Sequence, residues 1–382
     1  MIVYCLLIIN LCLTQQVAIG HAESAKPPDE QKQEKSEKKK AEKQGGHFLP
    51  IPIFLTEPAF GYGLGVALGY FHPDKDATET QAEPSLHTLK TATSDRSGQK
   101  PPPTITGVAG GYTNTGTWAA AVGHSTSWRQ DTIRYVGALA YTNVNFSYYL
   151  LDHSTDVNLK GAMLYQDLKY RLGKSQFFLG GKLLLMETES QFDVLPEEDS
   201  IEASNNGVAA AATYDSRDNT FTPNSGQLLQ FDLWRFDEAL GGDYDYWRAN
   251  LQLLSFFQLH RRFVLGLRFE ADTVDGDAPF YAYPWVTLRG VPAMRYQGKS
   301  AGEIEVEGRY NVSERWGILG FAGTGSVHSR EISGVKIVKD DIFTVGAGVR
   351  YFLMRDMDLW LGLDYAEGPE DGYGYITVGQ AW

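Results

Sequence analysis

The chain reads as an all-β protein, a transmembrane antiparallel β-barrel of about 16 strands, and three observations predict it. The first is alternation. In RFVLGLRFEAD, Phe263, Leu265, Leu267, Phe269 and Ala271 share one face of a strand, while Gly266, Arg268, Glu270 and Asp272 share the other. DIFTVGAGVRYF repeats the pattern, with Phe343, Val345, Ala347, Val349 and Tyr351 on the apolar side. The second is two lengths of connection: turns at 173–175, 260–262, 312–315 and 353–357 alternate with polar loops at 190–205, 237–245, 273–298 and 330–340. Short turns on one rim and long loops on the other mark an outer-membrane barrel. The third is the placing of Tyr, Trp and Phe near strand ends, as in WRQDTIRY and FYAYPW, where aromatic girdles meet the membrane surface. No apolar run after residue 46 approaches the roughly 20 residues of a spanning helix.

Residues 1–22 read as an export signal, with an apolar run from Ile2 to Leu13 and the small-residue pattern Gly20-His21-Ala22. Both cysteines, Cys5 and Cys12, fall inside it, so the mature chain is expected to have no disulfide, thiolate metal site or cysteine nucleophile. Residues 23–46 are a charged tether with seven lysines against six acids and no apolar face, too polar to fold by burial. Mixed charge of this kind is a solvated linker rather than a nucleic-acid-binding arm. Most of the formal net charge of -13 therefore lies in the barrel, residues 47–382. Strands are expected near 60–71, 104–113, 117–128, 133–145, 158–172, 176–189, 206–214, 226–236, 246–259, 262–273, 300–311, 316–328, 341–352, 358–366 and 374–382. An even number is needed if both ends share a compartment. The sixteenth is HFLPIPIFL, 47–55, whose prolines confine it to an edge or seam.

One stretch concentrates cations in this acidic chain: LRGVPAMRYQGKSAG, 288–302, with Arg289, Arg295 and Lys299. The next strand carries Glu303, Glu305, Glu307 and Arg309 at spacing two, so all four leave one face while Ile304, Val306 and Tyr310 leave the other. Lipid takes the apolar face and the acids turn to the lumen, where an arginine returning from the loop would relieve them with bidentate hydrogen bonds.

Together, YDSRDNTFTPNSGQLLQFDLW (214–234), LRGVPAMRYQGK, EVEGRY (305–310), GFAGTGSV (320–327) and a terminal strand ending in Trp382 resemble the BamA/TamA superfamily of outer-membrane assembly and translocation barrels, the bacterial surface antigens. The opening FLPIPIFLTEPAFGYGLGVALGYF resembles the branch lacking amino-terminal periplasmic POTRA domains. The resemblance implies a long extracellular loop folded into the lumen, carrying Arg289, Gly290 and Arg295, and inner-wall partners among Glu305, Glu307 and Arg309. A second acidic partner is expected in an aromatic-x-Asp-x-Gly segment, but Phe321-Ala322-Gly323-Thr324-Gly325 has Gly323 in that place, so the anchor is expected to be weaker or differently built. Asp215, Arg217, Asp218, Asn219, Pro223 and Gly226 match the family's periplasmic turn. Their chemistry suits a structural role, since Asp and Asn cap turns while Pro and Gly fix the backbone.

Other chemistry finds no support. Ser300 in GKSAG lacks the strand-turn-helix context of a nucleophile elbow, AMRYQGKS misses a phosphate loop by its first glycine, and the histidines form no ligand pair. The chain is expected to be no enzyme and to hold no cofactor or metal. The expected location is the bacterial outer membrane, among lipid and lipopolysaccharide. The role implied is polypeptide insertion or translocation, with a client polypeptide or a separate periplasmic partner and no nucleic acid. A passive, porin-like solute channel is the alternative.

Overall fold

The computed structural model describes residues 46–73, 102–150, 153–194, 196, 200–218, 222–332, 335–354 and 359–378. The export signal, the tether up to residue 45, Asn219 and Trp382 lie outside the described residues. Strands follow one another as β1 (His47–Glu57), β2 (Gly61–Phe71), β3 (Ile105–Thr113), β4 (Trp118–Trp128), β5 (Ile133–Leu150), β6 (His153–Arg171), β7 (Phe177–Phe192), β8 (Ile201–Ser204), β9 (Gly207–Asp215), β10 (Gly226–Phe236), β11 (Asp245–His260), β12 (Phe263–Asp277), β13 (Ser300–Asn311), β14 (Trp316–Ile332), β15 (Val335–Met354), β16 (Leu359–Glu367) and β17 (Gly372–Val378). Every sequential neighbour from β1 to β7 and from β9 to β17 pairs antiparallel. Both β8 and β9 pair with β7, so they are two pieces of one wall strand and the wall has sixteen. The barrel is nearly closed: β1 runs beside β17, but among the described residues no paired register joins them.

Alternation decides which face is which. In β13, Glu303, Glu305 and Glu307 are buried while Ile304 and Val306 are 41% exposed. The same parity puts Leu64, Val66 and Leu68 outward on β2 and Leu363 and Tyr365 outward on β16. Aromatic pairs such as Trp128–Tyr135, Phe177–Tyr214 and Trp316–Tyr351 lie at one rim, and Trp118–Tyr141 lies toward the other.

The expectation that connection length separates the rims needs correction. The connection between β2 and β3, more than thirty residues, leaves from the same rim as the turns 173–175, 260–262 and 312–315. What separates the rims is strand overhang. Beyond Tyr141, the outer faces of β5, β6 and β7 turn polar: Asn158 donates to the side-chain oxygens of Asn143 and Asn145 at 2.6 Å, Ser147 to Asp156 at 2.8 Å, and Lys160 meets Glu189 at 3.2 Å. These strands rise past the aromatic level with polar outer faces. Segments read as loops are partly hairpin for the same reason: β14 continues to Ile332 and β15 starts at Val335, replacing most of the 330–340 loop. Backbone pairing satisfies N–H and C=O groups in a polar hairpin as well as in an apolar one, so polarity alone did not end the strands.

Inside the overhanging rim an apolar layer fills the barrel. Phe146, Leu159, Leu184 and Tyr246 from the wall pack with Tyr281, Ala282 and Trp285 from the segment between β12 and β13.

Candidate functional site

The segment 278–299 leaves β12 at the overhanging rim and lies against inward side chains of β12–β14, β16 and β17. It starts on the apolar layer and then meets carboxylates. The Thr287 backbone N–H donates to Glu303 at 2.5 Å and its hydroxyl to the same carboxylate at 2.5 Å. Arg268, opposite Glu305 in the register of β12 and β13, holds Glu303 at 2.5 Å.

Arg289 follows. Its Nη2 lies 2.5 Å from Glu305 and 2.8 Å from Glu307, and its Nη1 lies 3.5 Å from Asp364 on β16. The guanidinium carbon sits 3.5 Å from the centre of the Phe321 ring, a cation over an aromatic face. Burial works against the charged form, but Glu307, Glu305 and Asp364 outweigh it, so Arg289 holds its proton more tightly than an ordinary arginine. Asp364 is doubly used, since Arg350 on β15 donates to it through Nη2 at 2.9 Å and through Nη1.

Gly323 explains why the second acid comes from β16 rather than β14. It faces Glu305 across the β13–β14 pairing, and a Cβ built there would lie 2.7 Å from Leu288 Cδ2. The space an aspartate would need is filled by the loop itself, and Asp364 supplies the charge from two strands further on. Gly290 has φ 93, a left-handed conformation that favours glycine. The reversal turns its N–H to the Tyr375 hydroxyl on β17 at 2.9 Å, and the Ala293 N–H reaches Glu57 at the end of β1 at 2.9 Å. One loop thus touches both β17 and β1, between which the described residues show no paired register.

The remaining residues singled out by sequence divide. Arg295 sits at the rim, with Nε 2.6 Å from Glu370 in the β16–β17 turn, rather than among the wall carboxylates. Arg309 faces inward and lies 3.6 Å from Glu307, but it donates at 2.6 Å to the Pro223 carbonyl, so its partner is the connection at the opposite rim and not the loop. There Asp215 takes Arg134 and Arg217, each at 3.0 Å. Asp218 accepts from the backbone N–H groups of Asn224 and Ser225 at 3.0 and 3.2 Å. Gly226 closes the connection with φ 98. Sequence reasoning missed Asp364, Arg350, Arg268 and Thr287. Arg268 and Arg350 carried a usable signal, an arginine on the polar face of an alternating strand, whereas pairing across four strands carries none.

Beneath the loop a cavity of about 740 Å³ is bounded by Thr287, Arg289 and Ala293 on one side and by Ala109, Gly111 and Ala121 on another.

The model of the Omp85 superfamily domain matches residues 51–283. No curated protein matches the chain. Among solved structures, BamA from Haemophilus ducreyi lacking POTRA domains 1-3 superposes with a TM-score of 0.58 at 10% identity, over 88% of this chain and 70% of that one. CdiB from Acinetobacter baumannii gives 0.57 at 10% identity, over 88% of this chain and 60% of that one. CdiB from Escherichia coli gives 0.57 at 11% identity, over 87% and 61%. This chain therefore spans about three fifths of the length of each CdiB. At such identities the likeness is one of fold.

Proposed function

The chain belongs to the Omp85 superfamily of outer-membrane barrels, and from that premise we propose that it acts in the insertion or translocation of polypeptide at the bacterial outer membrane. The observation that carries the reading is the loop that borders the open edge. Residues 278–299 are read as an extracellular loop folded into the lumen, where Arg289 locks onto three carboxylates and Gly290 and Ala293 reach the last and first strands. A weakly paired edge exposes N–H and C=O groups to which a client strand can add. A latch across that edge would control when it opens. No covalent step is required.

A passive solute channel is disfavoured by the apolar layer of Phe146, Leu159, Tyr246 and Trp285, which packs across this part of the overhanging rim. Two measurements test the proposal. In planar bilayers the protein should be mostly closed with brief openings, and a wide steady pore would favour the channel. In-cell crosslinking from cysteines placed at Phe54 on β1 and Ile376 on β17 should trap a polypeptide client. Crosslinks only to lipopolysaccharide and resident porins would defeat the insertion reading.

A further inference from the structure

We propose that the outer wall at the rim bearing the β4–β5 turn binds the phosphate headgroup of an anionic glycerophospholipid, with Arg129 as the cation that receives it. The proposal rests on the outer-membrane reading only in requiring that this rim meet a lipid–water boundary.

Outward rings form a continuous band across β1, β2, β4 and β5. Phe48 lies 4.8 Å from Tyr70, Tyr70 4.8 Å from His72, His72 5.9 Å from His124, His124 6.4 Å from Tyr135, and Tyr135 5.8 Å from Trp128. The two imidazoles are tied through one hydroxyl, with His72 Nε2 at 2.9 Å and His124 Nδ1 at 2.8 Å from Thr106 Oγ1. Each ring keeps its other nitrogen out of that contact. Amphipathic rings of this kind sit at headgroup level, apolar body toward the acyl chains and polar edge toward phosphate and glycerol.

The turn next to the band is strained in an informative way. Arg129, Gln130 and Asp131 have φ of 53, 53 and 62, three successive side-chain-bearing residues in left-handed backbone. Asp131 holds the turn from inside. It accepts from Arg134 Nε at 2.7 Å and Nη2 at 2.8 Å and also from Arg171, and both guanidiniums lie over the Phe178 ring at 4.3 and 4.5 Å. A tight turn needs only glycine here. This chain instead uses Arg129 and Gln130, both exposed, and among the described residues no carboxylate pairs with Arg129. An unpaired guanidinium beside Trp128, at the edge of an aromatic band, suits a phosphate anchored in a bilayer by its acyl chains.

The test uses the full barrel in neutral detergent, titrated with phosphatidylglycerol or phosphatidylcholine and read by native mass spectrometry, with Arg129→Gly and Arg129→Lys beside the wild type. The wild type should prefer phosphatidylglycerol. Arg129→Gly should lose about fivefold in that affinity while unfolding at the same or a higher temperature, because glycine relaxes the left-handed turn. Arg129→Lys should keep most of the preference. An unchanged preference in Arg129→Gly overturns the proposal, as does a loss of binding that tracks a fall in unfolding temperature. Displacement of the lipid by millimolar inorganic phosphate would replace it with a site for the free ion. A failed client crosslink leaves this titration untouched, so the two proposals fail separately.

Discussion

Two arcs of the inner wall are built from opposite materials. Through the middle of β2, β3 and β4 the inward positions are Gly63, Gly65, Ala67, Gly69, Gly107, Ala109, Gly111, Ala119, Ala121 and Gly123, with no charge among them, and Phe71 and Ile105 close the arc at one rim. Across β12 to β16 they include Arg268, Glu303, Glu305, Glu307, Arg350 and Asp364, all buried. The first arc offers room and nothing to hold, and the cavity lies against it. The second offers charges that burial makes costly unless paired, and the loop docks there. The position of the loop is thus set less by its own shape than by which arc needs its arginine.

The comparison breaks if the charged arc can lose its cation without penalty. Arg289→Ala leaves Glu305, Glu307 and Asp364 short of a partner and should cost about 3–5 kcal/mol, read as a lower unfolding temperature in detergent and faster proteolysis at 278–299. Arg289→Lys should restore only part, since a point charge cannot fork between Glu305 and Asp364. Asp364→Asn removes a carboxylate shared by Arg289 and Arg350 and should cost about 2–3 kcal/mol. Protease sensitivity should rise less than in Arg289→Ala because Glu305 and Glu307 remain. Gly323→Asp, which would install an acid on β14, should not rescue Asp364→Asn. Leu288 occupies the space, and the clash should itself cost about 2 kcal/mol, so recovery of stability in the double variant would mean that the loop is free to shift. Ala121→Leu, in the smooth arc, should change stability by about 1 kcal/mol or less and reduce the brief openings in bilayers. A large loss of stability there would show that the smooth arc is packed rather than spacious.

Much of this was legible in the chain because alternation carries it. Period-two spacing placed Glu305 and Glu307 on one inward face and supplied fifteen strand positions, and the need for an even number added HFLPIPIFL, which forms β1. Overhang was only partly legible, because the expected strands stop at 145, start at 158 and stop at 189, whereas β5 runs on to Leu150, β6 starts at His153 and β7 continues to Phe192, pairing polar residues such as Ser147 and Asp156. Nor was the exchange of Gly323 for Asp364, since the two lie on β14 and β16 and only the closed curve of the wall brings both to one guanidinium. Arg309 shows the limit of face assignment: its side was right, while its partner, the Pro223 carbonyl, comes from a connection that no periodicity describes.

Order of assembly gives the loop one more consequence. Its holding groups are Glu57 at the end of the first strand, Glu305 and Glu307 just after it, and Asp364, Glu370 and Tyr375 near the carboxyl end. Strands β1, β13, β16 and β17 must all be in place before residues 278–299 find these groups. A partly made wall could seat Thr287 on Glu303, but it could not complete the Arg289 cluster or span the two border strands. Docking is therefore a late event that registers completion of the wall, and a barrel stalled in assembly before β16 joins should expose this segment to protease until β16 and β17 are in place.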